Sequence, residues 1–230
     1  MGIAFNGQIP RGFAINGERV NGMASGGNVM YRRPYALVSS GAQYIDTEYA
    51  VQNNHMTVEI DFSPMASPSG NSTYGAEVAN PYNYTIIPYS TSGTSASRTF
   101  YTGNASSGFS FSFTLGARWE LRAQAHSGLQ TLIVNGQVVD TRNYNGTVVN
   151  VRPIHIFANN RLTGAQQFSA MKLYSFKLYD NNNLVRDLIP VPQGNTSYSA
   201  TPAPSNCLWC KVTNRYYVNQ GAGSFGIEAV

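Results

Sequence analysis

The sequence predicts an all-β chain: an antiparallel two-sheet β-sandwich preceded by a short N-terminal β-hairpin arm. Three observations carry this. From Tyr35 onward apolar residues recur with period 2, the signature of half-buried strands. No segment longer than about ten residues shows the 3.6-residue apolar stripe of a helix. Asn, Gly and Asp residues punctuate short apolar runs at roughly 8–12-residue spacing, as in a sandwich. A length of 230 residues suffices for one such domain with a full core. The arm is placed at residues 1–33 and the sandwich at 34–230.

In the arm, Ala4-Phe5-Asn6-Gly7-Gln8-Ile9 recurs as Ala14-Ile15-Asn16-Gly17-Glu18-Arg19-Val20. Asn-Gly between apolar residues is a strong hairpin signal, because a type I′ turn needs positive φ at both central positions. Two-stranded hairpins cannot bury a core of their own. The arm is therefore expected to dock on another surface through Phe5, Asn6, Gly7, Ile15, Asn16, Gly17 and Arg19.

The sandwich strands follow in order. Met56, Val58, Ile60 and Phe62 alternate with Thr57, Glu59 and Asp61, so the first set faces the core and the second faces out. Phe109 to Phe113 and Trp119 to Gln124 alternate likewise. Thr131 to Val134, Asn135-Gly136 and Gln137 to Val139 read as a hairpin. Val151 to Phe157 reads as a strand with Pro153 near its start. Leu173 to Tyr179 is apolar on both faces and is expected to be covered on both. Asp180 to Asn183 turns it back into Leu184 to Val191. Residues 64–108 and 192–206, rich in Ser, Gly, Asn, Tyr and Pro, are expected to be loops.

Composition narrows the function. Charged residues are 11% of the chain, against about 25% in an average domain. Residues 1–34 hold four Arg and one Glu, a charge of +3. The remainder holds 11 basic and 10 acidic residues, a charge of +1. No clustered Lys/Arg face is present, so nucleic acid is not an expected partner. No apolar run reaches the roughly 18 residues of a membrane helix, and the first residues lack a secretory pattern. Cys207 and Cys210 are the only cysteines. Zinc needs four ligands, and His55, His126 and His155 are scattered. Both thiols are expected to be reduced and structural, on opposite faces of one strand. No cofactor and no metal are implied. Asp46, Asp140 and Asp180 could serve as calcium ligands, but no Asp-rich loop concentrates charge, so they are expected to form turns.

Two blocks suggest a family. Ser39-Ser40-Gly41-Ala42-Gln43-Tyr44-Ile45-Asp46-Thr47 lies near the start, and Met171 to Asp180 with Leu184 to Val191 lies near the end. They resemble the first and last strands of the concanavalin-A-like, laminin-G-like jelly rolls of bacteriophage virion proteins and bacterial surface proteins, over residues 35 to 225. The segment Leu208 to Phe225 is similar to that family's terminal hairpin, with Cys210 where the family has Asp. That exchange is expected to weaken any polar role for the turn.

The resemblance implies a jelly-roll sandwich. It also implies a bacteriophage virion structural protein: a head decoration or fibre, or a tail or baseplate subunit. Such a protein is made in the bacterial host cytoplasm, docks other virion proteins through residues 1–33 and assembles as a homo-oligomer, since repetitive assemblies favour closed symmetry. The alternatives are an adhesin that binds host-envelope or mucus glycans, and a bacterial surface lectin-like domain. Glucanases sharing this fold carry alternating carboxylates on one strand. Glu59 and Asp61 match the first two places, but Ser63 stands where the general acid is needed, so no catalytic residue and no enzyme activity are expected. For glycan contact the candidates are Tyr82, Tyr84 and Tyr89, whose rings offer stacking faces, with Asn159 and Asn160 on the same rim.

Overall fold

A computed structural model describes residues 14–15, 18–19, 35–50, 55–65, 72–79, 82–92, 95–101, 109–126, 128–143, 152–161 and 163–230. Twenty strands and no helix occur among them. The arm contributes β1 (Ala14–Ile15) and β2 (Glu18–Arg19). The sandwich contributes β3 (Tyr35–Ser40), β4 (Ile45–Ala50), β5 (Met56–Pro64), β6 (Tyr74–Ala79), β7 (Tyr82–Ser92), β8 (Ser95–Tyr101), β9 (Phe109–Thr114) and β10 (Trp119–His126). It continues with β11 (Leu129–Val134), β12 (Gln137–Asn143), β13 (Pro153–Ile156), β14 (Asn159–Arg161) and β15 (Gly164–Gln166). It closes with β16 (Ala170–Asp180), β17 (Asn183–Val191), β18 (Cys207–Cys210), β19 (Arg215–Tyr217) and β20 (Gly226–Ala229).

Strands β12-β11-β10-β5-β16-β17-β18-β19 form one long sheet, with β3 and β20 joined to it. The second sheet runs β15-β14-β6-β7-β8-β9, with β13 bridging β6 and β4. Pairing is antiparallel except between β14 and β6. The all-β jelly-roll sandwich is thus as expected, and its ends meet: β20 pairs β3, and β3 pairs the first half of β16. β1 and β2 form a separate two-stranded sheet in which Ile15 pairs Glu18. Phe5, Asn6, Gly7, Asn16 and Gly17 lie outside the described residues.

The inward set on β5 is fully in the core: Met56, Val58, Ile60 and Phe62 are at most 2% exposed. Facing them are Tyr74, Phe113, Ile154, Ile156 and Phe157 from the second sheet. The two expected hairpins close on residues of positive φ, Asn135 with Gly136 and Asn181 with Asn182, as a type I′ turn requires.

Three expectations change. Residues 64–108 are not a loop, because β6, β7 and β8 lie within them. Tyr, Thr and Ile favour strands and outweigh the Ser and Asn between them. Pro88 is tolerated because the β6–β7 pairing ends at Thr85, so among the described residues β7 pairs only β8 beyond it. β16 is covered on one face only. Leu173, Phe176 and Leu178 are buried, whereas Tyr174, Lys177 and Tyr179 are half-buried on the outer face. A bulge at Tyr174–Ser175 absorbs the phase slip between the two halves. Cys210 keeps a polar role. Burial pushes its thiol up, but the Thr213 hydroxyl and the backbone of Thr213, Asp187 and Val212 outweigh that and hold its pKa below the usual thiol value.

Both cysteines are free and buried. As alternation requires, Cys210 belongs to the main core and Cys207 to a satellite cluster with Val191, Ala203 and Trp209. That cluster lies on the outer face of β17–β19, under residues 192–206. Tyr198 stacks on Trp209, and the Tyr216 hydroxyl donates to the carbonyls of Asn195 and Thr201. The segment 192–206 is therefore a strap with defined partners, without strands of its own.

Candidate functional site

Among the described residues the strap stops short of the outer face of β11, β10, β5 and β16, and there a cleft of about 550 Å³ opens. Its floor is set by strand parity. On β5 the residues alternating with the core set are Glu59 and Asp61, and both line the cleft. Register brings Arg122 of β10 opposite Glu59 on one side and Lys177 of β16 opposite it on the other. The next row holds Glu120, Asp61 and Ser175.

The Glu59 row continues beyond the cleft. Lys177 pairs in register with Asp187 of β17. The amide of Lys211, just past β18, donates to the Asp187 carbonyl. Five neighbouring positions therefore carry Arg122, Glu59, Lys177, Asp187 and Lys211, a ladder that alternates in sign across the sheet. Four inter-strand steps make it roughly 19 Å long. Its ion pairs are Arg122–Glu59 at 3.7 Å, Lys177–Glu59 at 3.6 Å and Lys211–Asp187 at 3.5 Å.

Two tyrosines of β16 reach the groups around the cleft's carboxylates. The Tyr179 hydroxyl donates to Glu59 at 3.2 Å. Burial, followed by the charge of Glu59, pushes the Tyr179 phenol above its ordinary pKa, so it remains a donor. The Arg118 guanidinium lies 4.1 Å from the centre of the Tyr174 ring and forks onto both Asp61 oxygens at 2.8 and 2.5 Å. Asp61 is thereby closed in a two-point ion pair, whereas Glu59 holds the Tyr179 hydroxyl and two longer ion pairs. Both carboxylates lie on the outward face, as the alternation along β5 predicts, and both are hydrogen-bonded.

The other candidates are placed as follows. Tyr82, Tyr84 and Tyr89 all lie on β7, in the second sheet. Tyr84 is in register with Ala76, a core position, and position 89 has the opposite parity to 82 and 84. Asn160 shares the row of Ala76 and Tyr84. Asn159 and Asn160 are 0% and 7% exposed, their amides donating to Gln167 and to the Pro153 carbonyl. Both are buried, and as neighbours on β14 they face opposite sides of the sheet. Asp46 bonds the Glu48 amide, Asp140 bonds Arg142, and Asp180 accepts from Tyr49. Among the described residues no three His, Cys, Asp or Glu side chains gather as a metal site.

Sequence reasoning found Glu59 and Asp61 but not Arg122, Lys177, Asp187 and Lys211. Each is a charged residue at an outward position of an apolar strand, a readable signal taken singly. Their alignment depends on which strands are neighbours, and β5, β10 and β16 are far apart in sequence.

No protein-family model matches the chain, and no curated protein does. Solved structures share its fold. A heptameric SAP-like pentraxin from Limulus polyphemus superposes with a TM-score of 0.51 at 10% identity, over 66% of this chain and 78% of that one. A Bacteroides ovatus protein provisionally named a carbohydrate binding protein superposes with a TM-score of 0.54 at 11% identity, over 86% of this chain. The match spans 60% of the Bacteroides protein. Domains LG4-5 of the mouse laminin alpha1 chain match with a TM-score of 0.43 at 13% identity, over 74% of this chain and 50% of that one. The pentraxin and Bacteroides superpositions show a shared jelly-roll fold.

Proposed function

We propose that this chain is a carbohydrate-binding jelly-roll module without enzymatic activity. The observation that carries the reading is the cleft, where carboxylates and cations alternate and two tyrosines lie next to the carboxylates. Sugar recognition needs donors and acceptors side by side on a fixed surface, and a sheet face fixes them well. The name of the Bacteroides ovatus structure lends support. The test is a glycan-array assay on the whole chain, presented multivalently to offset weak single-site affinity. Retention of a defined glycan class, lost in Arg122→Ala and kept in Tyr82→Ala and Tyr84→Ala, is expected. Loss with the tyrosine variants alone would move the site to β7. Silence across a broad panel would refute the reading.

A second reading concerns where the module is displayed: on a bacteriophage virion, as a head decoration, fibre, tail or baseplate subunit, held by the arm and repeated in a homo-oligomer. Its support is the separate two-stranded sheet of β1 and β2, which pairs with no described strand of the sandwich. Deleting residues 1–33 is expected to abolish incorporation into particles while the remainder keeps its β-sheet circular dichroism. Normal incorporation of the truncated chain would refute docking through the arm. Anchoring of the chain to a bacterial envelope instead would favour the surface-lectin alternative.

A further inference from the structure

We infer that the ligand of this face is an uncharged linear glycan lying along the charge ladder, across the strands; this rests on the glycan-binding reading above. The charges of the face cancel. Arg118, Arg122, Lys177 and Lys211 stand against Glu59, Asp61, Asp187 and Glu120, four and four. Such a surface has no net field to draw in a polyanion. A carboxylated sugar would also have to take a cation from its own carboxylate, leaving that carboxylate unpaired.

The ladder pairs are open. All three stand at 3.5–3.7 Å, beyond the roughly 2.7–3.2 Å of an N–H···O bond. Three Arg or Lys pairs off the ladder are closed, Arg118–Asp61 and Lys172–Glu228 at 2.5 Å and Arg142–Asp140 at 2.9 Å, whereas His155–Asp46 stands at 3.8 Å. The ladder groups thus hold donor and acceptor capacity beyond these pairs, although one Glu59 oxygen already accepts from the Tyr179 hydroxyl. A cation and a carboxylate in one open pair suit a vicinal diol. One hydroxyl donates to the carboxylate while its neighbour accepts from the cation.

The repeat sets the shape. Donor and acceptor alternate strand by strand, so the pattern recurs every two strands, about 9.6 Å. That matches the length of an extended disaccharide. A linear chain laid across the strands would therefore meet the same pair at every second sugar, from Arg122 at one end to Lys211 at the other.

The test compares neutral linear oligosaccharides with uronate-bearing ones of equal length, by calorimetry on the full chain at low and at high salt. Neutral chains are expected to bind with affinity unchanged within about twofold by salt, because no long-range charge attraction is screened. Lys177→Gln and Asp187→Asn should each weaken binding about tenfold, through loss of a charged hydrogen bond. Lys172→Gln, off the ladder and paired with Glu228, should leave binding unchanged. Lys211→Gln, at a half-exposed position, repeats the test with little risk to folding. Tighter binding of uronate chains, collapsing at high salt, would overturn this inference and leave the glycan reading standing. Failure of both classes to bind would overturn that reading as well.

Discussion

Arg186 is a buried cation held by three backbone carbonyls, and its replacement gives a direct stability test. It points inward from β17 and is 8% exposed. Its guanidinium donates to the carbonyls of Thr47 at 2.7 Å, Val185 at 2.7 Å and Glu48 at 3.2 Å. It also lies 5.1 Å from the Tyr49 ring centre and 5.7 Å from that of Tyr217. One side chain thereby ties β17 to β4 and β19, where Glu48 is held at φ 53°. Charged hydrogen bonds contribute about 1.5–3 kcal/mol each, so the two short ones give roughly 3–6. The aromatic contacts add about 1 kcal/mol. Desolvating the guanidinium offsets several kcal/mol. The net loss expected for Arg186→Met, which keeps the bulk and removes the donors, is about 3 kcal/mol. In a domain of this size that lowers Tm by roughly 6–12 °C. Urea unfolding followed through Trp209, 5% exposed in the native state, measures it directly. Arg186→Lys should recover only part of the loss, because an ammonium lacks the planar fork. A loss below about 1 kcal/mol for Arg186→Met, or full recovery by Arg186→Lys, would refute this account.

Three further outcomes are expected. Gly221→Ala should cost about 2–3 kcal/mol, because a Cβ there overlaps the Ala42 carbonyl where the chain ends meet; chemical denaturation compares it with Gly194→Ala, where space is open and only the positive φ is strained. Burial and the hydrogen bond to Asp180 push the Tyr49 phenol up to about 12. The folded pKa lies above the unfolded value, so this stabilisation is complete below pH about 10 and lost as pH rises toward about 12. Tyr49→Phe should flatten that part of the stability curve, and equal slopes would discount the contact. Both thiols are buried, and burial pushes Cys207 up to about 12. A maleimide at neutral pH should therefore leave both unmodified until urea unfolds the chain, and mass spectrometry would expose early labelling.

What the sequence made legible was whatever a strand's own residues settle. Parity along β5 sorted Met56, Val58, Ile60 and Phe62 from Glu59 and Asp61, and Asn135-Gly136 fixed a turn. Parity also put Cys207 and Cys210 on opposite faces. Where it failed, neighbours decided. β7 survives Pro88 because, among the described residues, it lacks a partner on one side past Thr85. The block Leu173 to Tyr179 looked doubly buried because tyrosine reads as apolar, yet Tyr174 spends its ring on Arg118 and Tyr179 its hydroxyl on Glu59. Phe157 holds φ 70° with its amide bonded to the Thr73 carbonyl and its ring packed on Phe225, a conformation no local preference of phenylalanine supplies.

The ladder is the extreme case of this dependence. Arg122, Glu59, Lys177, Asp187 and Lys211 come from five chain segments, and each alone is an ordinary outward charge. A one-residue slip in any one pairing would send that strand's charge to the core face. The hydrophobic pattern that fixes each register therefore also fixes the alternation of charge. That links stability to binding: variants that loosen β16, such as those that shift its Tyr174–Ser175 bulge, should lose glycan affinity in step with register, even with every ladder residue intact.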